Sequence, residues 1–576
     1  MRPRRHPLVL SLVAVLAAGC FSSTVTPVPT TQGPSAASAT PSAAPASPAA
    51  SSACTPGATP EAKDWNDRVW YEVFVRSFKD ANGDGIGDLR GLTQQLDYLN
   101  DGDPATTTDL GVTGLWLMPI AESPSYHGYD VTDYRKVEPD YGTAEDLRAF
   151  LDAAHERGIK VIVDLVLNHS SIDHPWFEDA RTPGAEHDDW YVWEDEQPFW
   201  VGPGGQVVWH PDGERWYYGV FWEGMPDLNL RNPETTAELE DVARFWLEEV
   251  GVDGFRLDAA KHLIEDGKDA QTNTPETKAW LAGFKDSVAA VNPDALLVGE
   301  VWEPPAIAAP YVPDSVDMTF DFGLATAIRL AIQNGRAAPL RTGLMDTISA
   351  WPANQNASFL TNHDQTRIMT ELGGDLPSAK LAAFILLNAP GTPFVYYGEE
   401  IGMTGTKPDE RIRTPMRWSM DEPAAGFSEV EPWQALSDDA PEVNVATQAD
   451  DPESLLATYR DLVRVRNATP ALRRGATTLV EGGAEPVIAW LRTTADETLL
   501  VVVNVSDEPV DAYGLVLDGG PLCGQVTARL VGTIGGDPGA TPAAPQVTVA
   551  GGLDGYEPLP VLAPRSGYVI ALESAP

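Results

Sequence analysis

Arg256 and Asp258 stand in the stretch Gly254-Phe255-Arg256-Leu257-Asp258-Ala259-Ala260-Lys261, which follows an amphipathic segment and the turn Gly251-Val252-Asp253. The stretch reads as a strand leaving a turn. At a period of two, Arg256 and Asp258 point the same way, and an apolar strand has no structural use for either. A carboxylate two residues from a guanidinium is a structural ion pair or a reaction centre whose ionisation is being set; these eight residues leave both readings open. Two more carboxylates close apolar runs of the same kind: Glu300 in Val298-Gly299-Glu300-Val301-Trp302, and Asp364 beside His363. Cleaving a glycosidic bond with retention needs two carboxyl groups about 5–5.5 Å apart, one as nucleophile and one as acid and then base. Neighbouring strands about 4.8 Å apart would supply that spacing. The apolar surroundings of Glu300 predict a raised pKa that keeps it protonated, while Arg256 predicts an ionised Asp258. Asp364 is placed to hold sugar hydroxyls.

Elements that bring these residues together can be counted. Apolar, β-branched runs at 69–78, 111–120, 160–169, 252–260, 295–302, 316–322, 357–364 and 393–400 alternate with amphipathic segments such as 143–157, 233–250 and 378–387. That alternation calls for a parallel sheet with crossover helices. Eight such runs fit an α/β fold, the (β/α)8 or TIM barrel, in which chemistry sits at the C-terminal ends of the strands. Polar residues close many of the runs: Asn168 and His169, Asp258, Glu300, His363 and Asp364. The expected catalytic barrel covers 63–168 and 231–472. A Trp-, Gly- and Pro-rich insert at 169–230, after the third strand, is too long for a plain loop and reads as an inserted domain. Short alternating runs at 487–494, 499–505, 525–531 and 568–572 predict a C-terminal antiparallel β-domain over 473–576.

The chain has 84 Asp and Glu against 39 Lys and Arg, a net charge of −45. This excludes a general nucleic-acid binder, which must neutralise phosphates, and argues against docking on anionic lipid. Seventeen Trp suit stacking on sugar rings and equally suit a core. The first residues read as a targeting segment, with Arg2, Arg4 and Arg5 before a short apolar stretch at 8–18. It is too short to span a bilayer. It ends in Leu16-Ala17-Ala18-Gly19-Cys20, which resembles a bacterial lipobox with Cys20 as the lipidated residue; the alternative is an ordinary cleaved signal. Residues 21–62 are Ser, Thr, Ala and Pro with almost no charge and read as a disordered tether. The expected protein is an extracellular monomer, held to the membrane only by that lipid. Cys54 and Cys523 remain as a possible disulfide tying the start of the catalytic body to the C-terminal domain, and the sequence leaves their pairing open. Three Cys and nine His form no convincing zinc site.

The strand ends carry a family resemblance. Asp164-Leu165-Val166-Leu167-Asn168-His169, the stretch from Gly254 to His262, Gly299-Glu300-Val301-Trp302 and Phe359-Leu360-Thr361-Asn362-His363-Asp364 resemble, in order, the four signatures of the α-amylase family of glycoside hydrolases. The resemblance implies Asp258 as nucleophile, Glu300 as acid/base and Asp364 as the third carboxylate. It implies that Arg256, His169 and His363 hold the sugar at the cleavage point, that Tyr129 stacks under it, and that Lys261 and His262 meet the leaving group. Asp80-Ala81-Asn82-Gly83-Asp84-Gly85-Ile86-Gly87-Asp88 sets oxygen ligands at alternate positions, with glycines for tight bending, which suits Ca²⁺. Asp80, Asn82, Asp84, Asp88 and the carbonyl of Ile86 are the expected ligands; a metal-free Gly/Asp turn is the alternative. Relatives that carry this loop bind calcium there.

Within the family, Met225-Pro226-Asp227-Leu228-Asn229 resembles a fifth signature, shared by the oligo-1,6-glucosidase branch and an intermediate group of amylases. Asp130 and Arg413 resemble residues that grip the non-reducing end in exo-acting relatives, whereas Arg417 departs from the Gln usual there. The stretch from Ser123 to Asp130 resembles secreted lipoprotein amylases. The resulting expectation is an α-amylase acting on α-1,4-glucan or malto-oligosaccharide. An exo-acting α-glucosidase, an oligo-1,6-glucosidase or a transglycosylase such as trehalose synthase is the runner-up. A non-enzymatic sugar-binding role is disfavoured because all three carboxylates are present.

Overall fold

The computed structural model describes residues 57–437, 439 and 442–574; the targeting segment, Cys20 and Cys54 lie outside them. Eight parallel strands close into a barrel. They are β1 (Trp70–Val73), β2 (Gly114–Leu117), β3 (Lys160–Leu165), β4 (Gly254–Leu257), β5 (Leu296–Gly299), β6 (Met318–Phe320), β7 (Asn356–Ser358) and β8 (Thr392–Tyr396). Six lie within their expected runs, and β7 and β8 each begin one residue before theirs; neighbours in sequence are neighbours in the sheet.

The strands are buried on both faces, as a parallel sheet under helices must be, and alternate residues go to two separate cores. Trp70, Trp116, Ile162, Leu296, Val298, Met318, Phe320 and Phe394 fill the barrel interior. Tyr71, Leu115, Val161, Phe255, Leu257 and Leu297 pack outward against the helices. In β4, the outward Phe255 and Leu257 leave Arg256 on the interior side, level with Val298 of β5. That register carries Asp258 and Glu300 out together at the C-terminal mouth.

The crossover helices begin where the sequence supplies caps. Thr143, Asn232, Thr274, Asp321 and Asp375 each accept a hydrogen bond from a first-turn N–H of Ala144–Glu156, Pro233–Arg244, Pro275–Val291, Phe322–Asn334 and Leu376–Asn388 respectively. The second of these continues into a π-helical turn over Phe245–Val250. Among the described residues no helix is long and apolar enough to cross a membrane.

Between β3 and β4 the insert forms the helix Pro175–Ala180 and a three-stranded antiparallel sheet of Trp193–Glu194, Trp209–Asp212 and Arg215–Tyr218. Most of its tryptophans are core. Trp193 stacks on Phe177 at 5.5 Å, Trp176 on Tyr134 at 5.4 Å, and Trp209 packs on Tyr218 at 5.2 Å. The insert returns to its point of departure through bridges between His169 and Asp227 and between Tyr191 and Leu228.

A seven-stranded antiparallel sheet forms the C-terminal part. It contains the four expected strands and three more: Ala476–Gly482, Leu515–Leu517 and Leu553–Tyr556. Cys523 is disulfide-bonded. Thr59 of the N-terminal segment accepts a hydrogen bond from Ala495 N at 3.0 Å. Buried Arg492, without a carboxylate partner in the bonds it makes, donates to the carbonyls of Ala471 and Leu472 and to Asn354, so this sheet is stitched to the barrel.

Gly254, the first residue of β4, has φ = +146°, and a Cβ there would meet Leu296 O at 2.2 Å and Leu296 N at 2.6 Å. Only glycine lets β4 and β5 approach at this register. Gly254→Ala is expected to destabilise the protein by about 2 kcal/mol or more, read as a lower urea midpoint with an unchanged m-value; an unchanged midpoint would refute this account of the β4–β5 contact.

Candidate active site

At the C-terminal mouth lies a cavity of about 480 Å³ lined by His127, Tyr129, His169, Phe221, Trp222, Met225, Asp258, Ala259, Lys261, His262, Glu300, Trp302, Asp364, Asp409 and Arg413. Its floor is built on Trp116 of β2, which packs under His363 at 5.6 Å and under the Arg256 guanidinium at 5.3 Å.

Arg256 is fully buried and holds three carboxylates. Its Nη1 donates to Asp164 Oδ1 at 2.8 Å and to Asp258 Oδ1 at 2.7 Å, and its Nη2 donates to Glu300 Oε2 at 2.7 Å. Ala259 N adds a bond to the same Glu300 oxygen at 3.0 Å. To turn that N–H inward, Ala259 takes a left-handed backbone at φ = 49°, a conformation a non-glycine residue holds only when its surroundings impose it.

Burial pulls Asp258 up, while Arg256 pulls it down, as the sequence suggests. Burial raises both Asp258 and Glu300. Arg256 opposes the rise in each, and the other carboxylates add to it: Asp364 beside Asp258, and Asp258 and Asp364 beside Glu300. Burial also lifts Asp164, to about 7, against the pull of Arg256. Against these carboxyls stand the Arg256 guanidinium and, for Asp258 and Asp164, the nearby His363. Glu300 is raised as expected, but by burial and its neighbours' charge together, and Asp258 moves in the same direction. Two such groups on one guanidinium titrate as a unit.

Asp364 has the opposite environment. Burial would raise it, but His363 Nε2 at 3.1 Å and Arg413 Nη2 at 2.9 Å hold it well below the ordinary carboxylate range. Burial alone would lower His363; Asp364 and Glu72 outweigh it and lift His363 to about 9. The imidazolium is gripped from both ends, by Glu72 Oε1 on Nδ1 at 2.5 Å and by Tyr129 Oη on Nε2 at 2.7 Å. Tyr129 in turn donates to Asp164 Oδ2 at 3.0 Å and stacks on His363. His169 and His262 are pushed down by burial to about 4 and stay neutral at pH 7. Phe221 lies against both rings. Lys261 Nζ donates to Trp302 O at 2.9 Å and to Glu303 Oε1 at 2.8 Å.

Most of the residues singled out from the sequence converge here, with Arg256 and His363 just beneath the cavity wall. Asp130 does not join them. It is buried behind the wall and accepts hydrogen bonds from Ser123 and Ser125, so its side chain is committed to its own loop; His127, three residues earlier, lines the cavity instead. Asn168 also points elsewhere, donating to Asp227 Oδ2 at 3.2 Å and to His262 O at 3.0 Å. Sequence reasoning passed over Asp164, Glu72 and the aromatic rim. The signal for Glu72 was a charged residue in the middle of the apolar run Trp70-Tyr71-Glu72-Val73.

The Asp80–Asp88 loop leaves β1 on the same face. Its donors are all oxygen and sit at alternate positions, as calcium prefers, and Gly83 and Gly85 take positive φ. Asp80 is wrapped by its own backbone: Oδ1 accepts from Asn82 N and Gly83 N, and Oδ2 from Gly85 N and Ser428 Oγ. Asn82 accepts from Asp84 N, Asp84 from Ile86 N, and Asp88 from Ala81 N and Gly91 N. The loop fits calcium by donor type, although among the described residues no three acidic, imidazole or thiol side chains converge on one point.

The model of the alpha amylase catalytic domain matches residues 72–475. Alpha-amylase 3 of Dictyoglomus thermophilum is 38% identical over 450 residues, covering 77% of this chain and 85% of that protein. The trehalose synthase of Thermus thermophilus is 36% identical over 515 residues, covering 78% of this chain and 52% of that protein. The crystal structure of an alpha-amylase from H. orenii superposes with a TM-score of 0.76 at 39% identity, covering 88% of this chain and 99% of that one.

Glu72 favours the charged form of His363, which in turn keeps Asp364 ionised. Glu72→Gln removes that support, so the His363 pKa falls from about 9 towards its ordinary value. The alkaline limb of kcat/KM against pH is expected to move down by about one pH unit. A limb that stays in place would separate His363 from the alkaline loss of activity.

Proposed function

Because the chain belongs to the α-amylase family of glycoside hydrolases, we propose that it cleaves α-1,4-glucosidic bonds in starch and maltodextrins with retention, through a covalent glycosyl-enzyme on Asp258. The observation that carries this reading is the Arg256 fork, with Asp258 on one arm and Glu300 on the other. In the reactive form Glu300 carries a proton, which passes to the leaving oxygen as Asp258 bonds to the anomeric carbon. Glu300, now ionised, takes a proton from water; that oxygen displaces Asp258 and returns the pair to its starting state. Asp364, held ionised by His363 and Arg413, accepts hydrogen bonds from ring hydroxyls. Tyr129 supplies the ring platform, and neutral His169 and His127 offer donors that do not compete for the charge.

Asp130 is turned away from the cavity and engaged with Ser123 and Ser125, which supports the endo reading over the grip on a non-reducing end that an exo enzyme needs. Arg413 does reach the cavity, as a partner of Asp364. Product lengths from starch decide this point: mixed malto-oligosaccharides in the first minutes are expected, and glucose alone would replace the endo reading with an exo-glucosidase.

We also assign Ca²⁺ to the Asp80–Asp88 loop, on the oxygen donors Asp80, Asn82, Asp84, Asp88 and the Ile86 carbonyl. Its part is structural. The loop is bonded to the segment after Arg417 through Asp80 N to Phe427 O at 3.0 Å and Trp433 N to Gly85 O at 2.9 Å. The site of action is placed outside the cell, with the enzyme tethered through lipidated Cys20; the lipobox-like stretch and the Ser/Thr/Ala/Pro tether support this.

Glu300→Gln is expected to lower kcat on maltodextrin by about 10²- to 10⁴-fold, the usual range for losing a general acid, with the thermal midpoint kept; full turnover in this variant would overturn the catalytic assignment. Chelation is expected to lower the thermal midpoint and added Ca²⁺ to restore it, while an identical melting curve with and without chelator would remove the metal from the account. Cys20→Ser should move activity from the membrane fraction to the medium, and an unchanged distribution would favour an ordinary cleaved signal.

A further inference from the structure

On the N-terminal face of the barrel, opposite the cleft, lies a second cavity of about 550 Å³. One wall comes from the residues that lead into β1, β2 and β3: the turn Asp64–Asp67, the loop ending at Thr113, and Gly158. The other is the helix Leu455–Ala468 with the short helix Pro470–Arg474 that follows it. Arg460, Arg464 and Asn467 recur at i, i+4 and i+7 of the first helix, so one face of it is turned to the cavity. Arg473 joins them from the second.

Five arginines line this one cavity, in a chain with 39 Lys and Arg against 84 Asp and Glu. Two of them are committed elsewhere. Arg68 is bonded to Asp64 and to the carbonyls of Thr113 and Gly158, and Arg157 to Asp97 and the carbonyl of Ala153. The other three have donors to spare. Arg460 is only 8% exposed. Its Nη1 donates to Ala449 O at 3.1 Å, its Nε has no hydrogen-bond partner, and among the described residues it forms no ion pair. Arg473 shares Asp67 with Arg474, and its own buried Nε is also without a partner. Arg464 reaches Asp461 through Nη1 at 2.8 Å. A buried guanidinium with unused N–H groups is costly unless something outside the chain pairs with it. The aspartates of the cavity do not fill that role. Asp64 and Asp67 are taken by Arg68 and by the Arg473–Arg474 pair. Asp103 accepts from Ala105 N in its own exposed loop. Asp109 accepts from Asp101 N at 3.2 Å, and burial pushes its carboxyl up, towards the neutral form.

We propose that this cavity binds a phosphate group, free or esterified to a small saccharide, on the guanidinium groups of Arg460, Arg464 and Arg473. Guanidinium forks match the oxygens of a tetrahedral oxyanion and hold it with charge-assisted bonds. The cavity is far larger than a phosphate ion. Its lining also includes the hydroxyl of Thr106 and the amide of Asn467, groups that suit sugar hydroxyls. The site shares no residue with the cleft and is independent of the cleavage reaction.

Calorimetric titration of the whole protein with inorganic phosphate, against chloride at the same ionic strength, reads the site directly. Saturable binding is expected, with a rise in the thermal midpoint. Arg464→Gln changes a part-exposed side chain and is expected to melt with the wild type in chloride. It should weaken phosphate binding by about tenfold, the size of one lost charge-assisted bond, and Arg460→Gln should weaken it further. Glucose 6-phosphate separates the two sources: tighter binding than inorganic phosphate assigns the ester, and equal or weaker binding assigns the free ion. Neither saturable heat nor a shifted melting curve with either ligand would overturn the site. Phosphate binding undiminished in both variants would overturn it as well, by placing the ion elsewhere on the protein.

Discussion

One buried positive charge governs this molecule. Arg256 stands fully buried on the interior side of β4, and three carboxyl groups from three neighbouring strands converge on its guanidinium. A charge removed from solvent costs several kcal/mol unless it is paired and hydrogen-bonded, so the cluster is stable only if its members stay close. Burial and mutual repulsion push all three carboxyls up while Arg256 pulls them down. In the proposed reaction this balance is what lets Glu300 carry a proton to the leaving oxygen. Asp364 shows the contrast: against burial, an imidazolium, shared with Glu72, and a second guanidinium hold it well below the ordinary carboxylate range.

The barrel makes this arrangement possible. Arg256, Asp258 and Glu300 meet because β4 and β5 lie in register with Gly254 opposite Leu296, and that register depends on a residue without a side chain. The interior plug of Trp70, Trp116, Phe320 and Phe394 supports the cluster from below. Its aromatic bulk holds Arg256 and His363 at the height of the strand ends. The site is therefore sensitive to packing several residues away from any atom that touches sugar.

Strand content was readable in the sequence because a parallel sheet buries both faces and writes itself as unbroken apolar runs. All eight barrel strands coincide with such runs to within one residue, and the polar residues closing them mark the mouth. Ala476–Gly482, Leu515–Leu517 and Leu553–Tyr556 were not readable. The first carries two threonines and a glutamate along its length, and the other two are three and four residues long, too short for a period to register. Within the site, side chains reaching across the barrel were the hidden part. Glu72 and His363 are 291 residues apart and meet only when the sheet closes. Asp130 misled for the converse reason. Its place in a motif said nothing about Ser123 and Ser125, whose hydroxyls claim its carboxylate locally. Composition left the tryptophans open between sugar stacking and core packing; in the insert Trp176, Trp193 and Trp209 pack on neighbouring aromatics.

The bridges that return the insert to its root have an evolutionary reading. Because His169 bridges Asp227 and the Asn168 carbonyl accepts from Leu228 N, the excursion between β3 and β4 is closed at its neck. Chain added or removed beyond a closed neck changes the closure entropy only logarithmically and leaves the strand register untouched. Descendants of this scaffold are free to redraw the outer wall of the cleft, and with it the length and linkage of the glucan accepted, while the charge cluster at its base stays as it is.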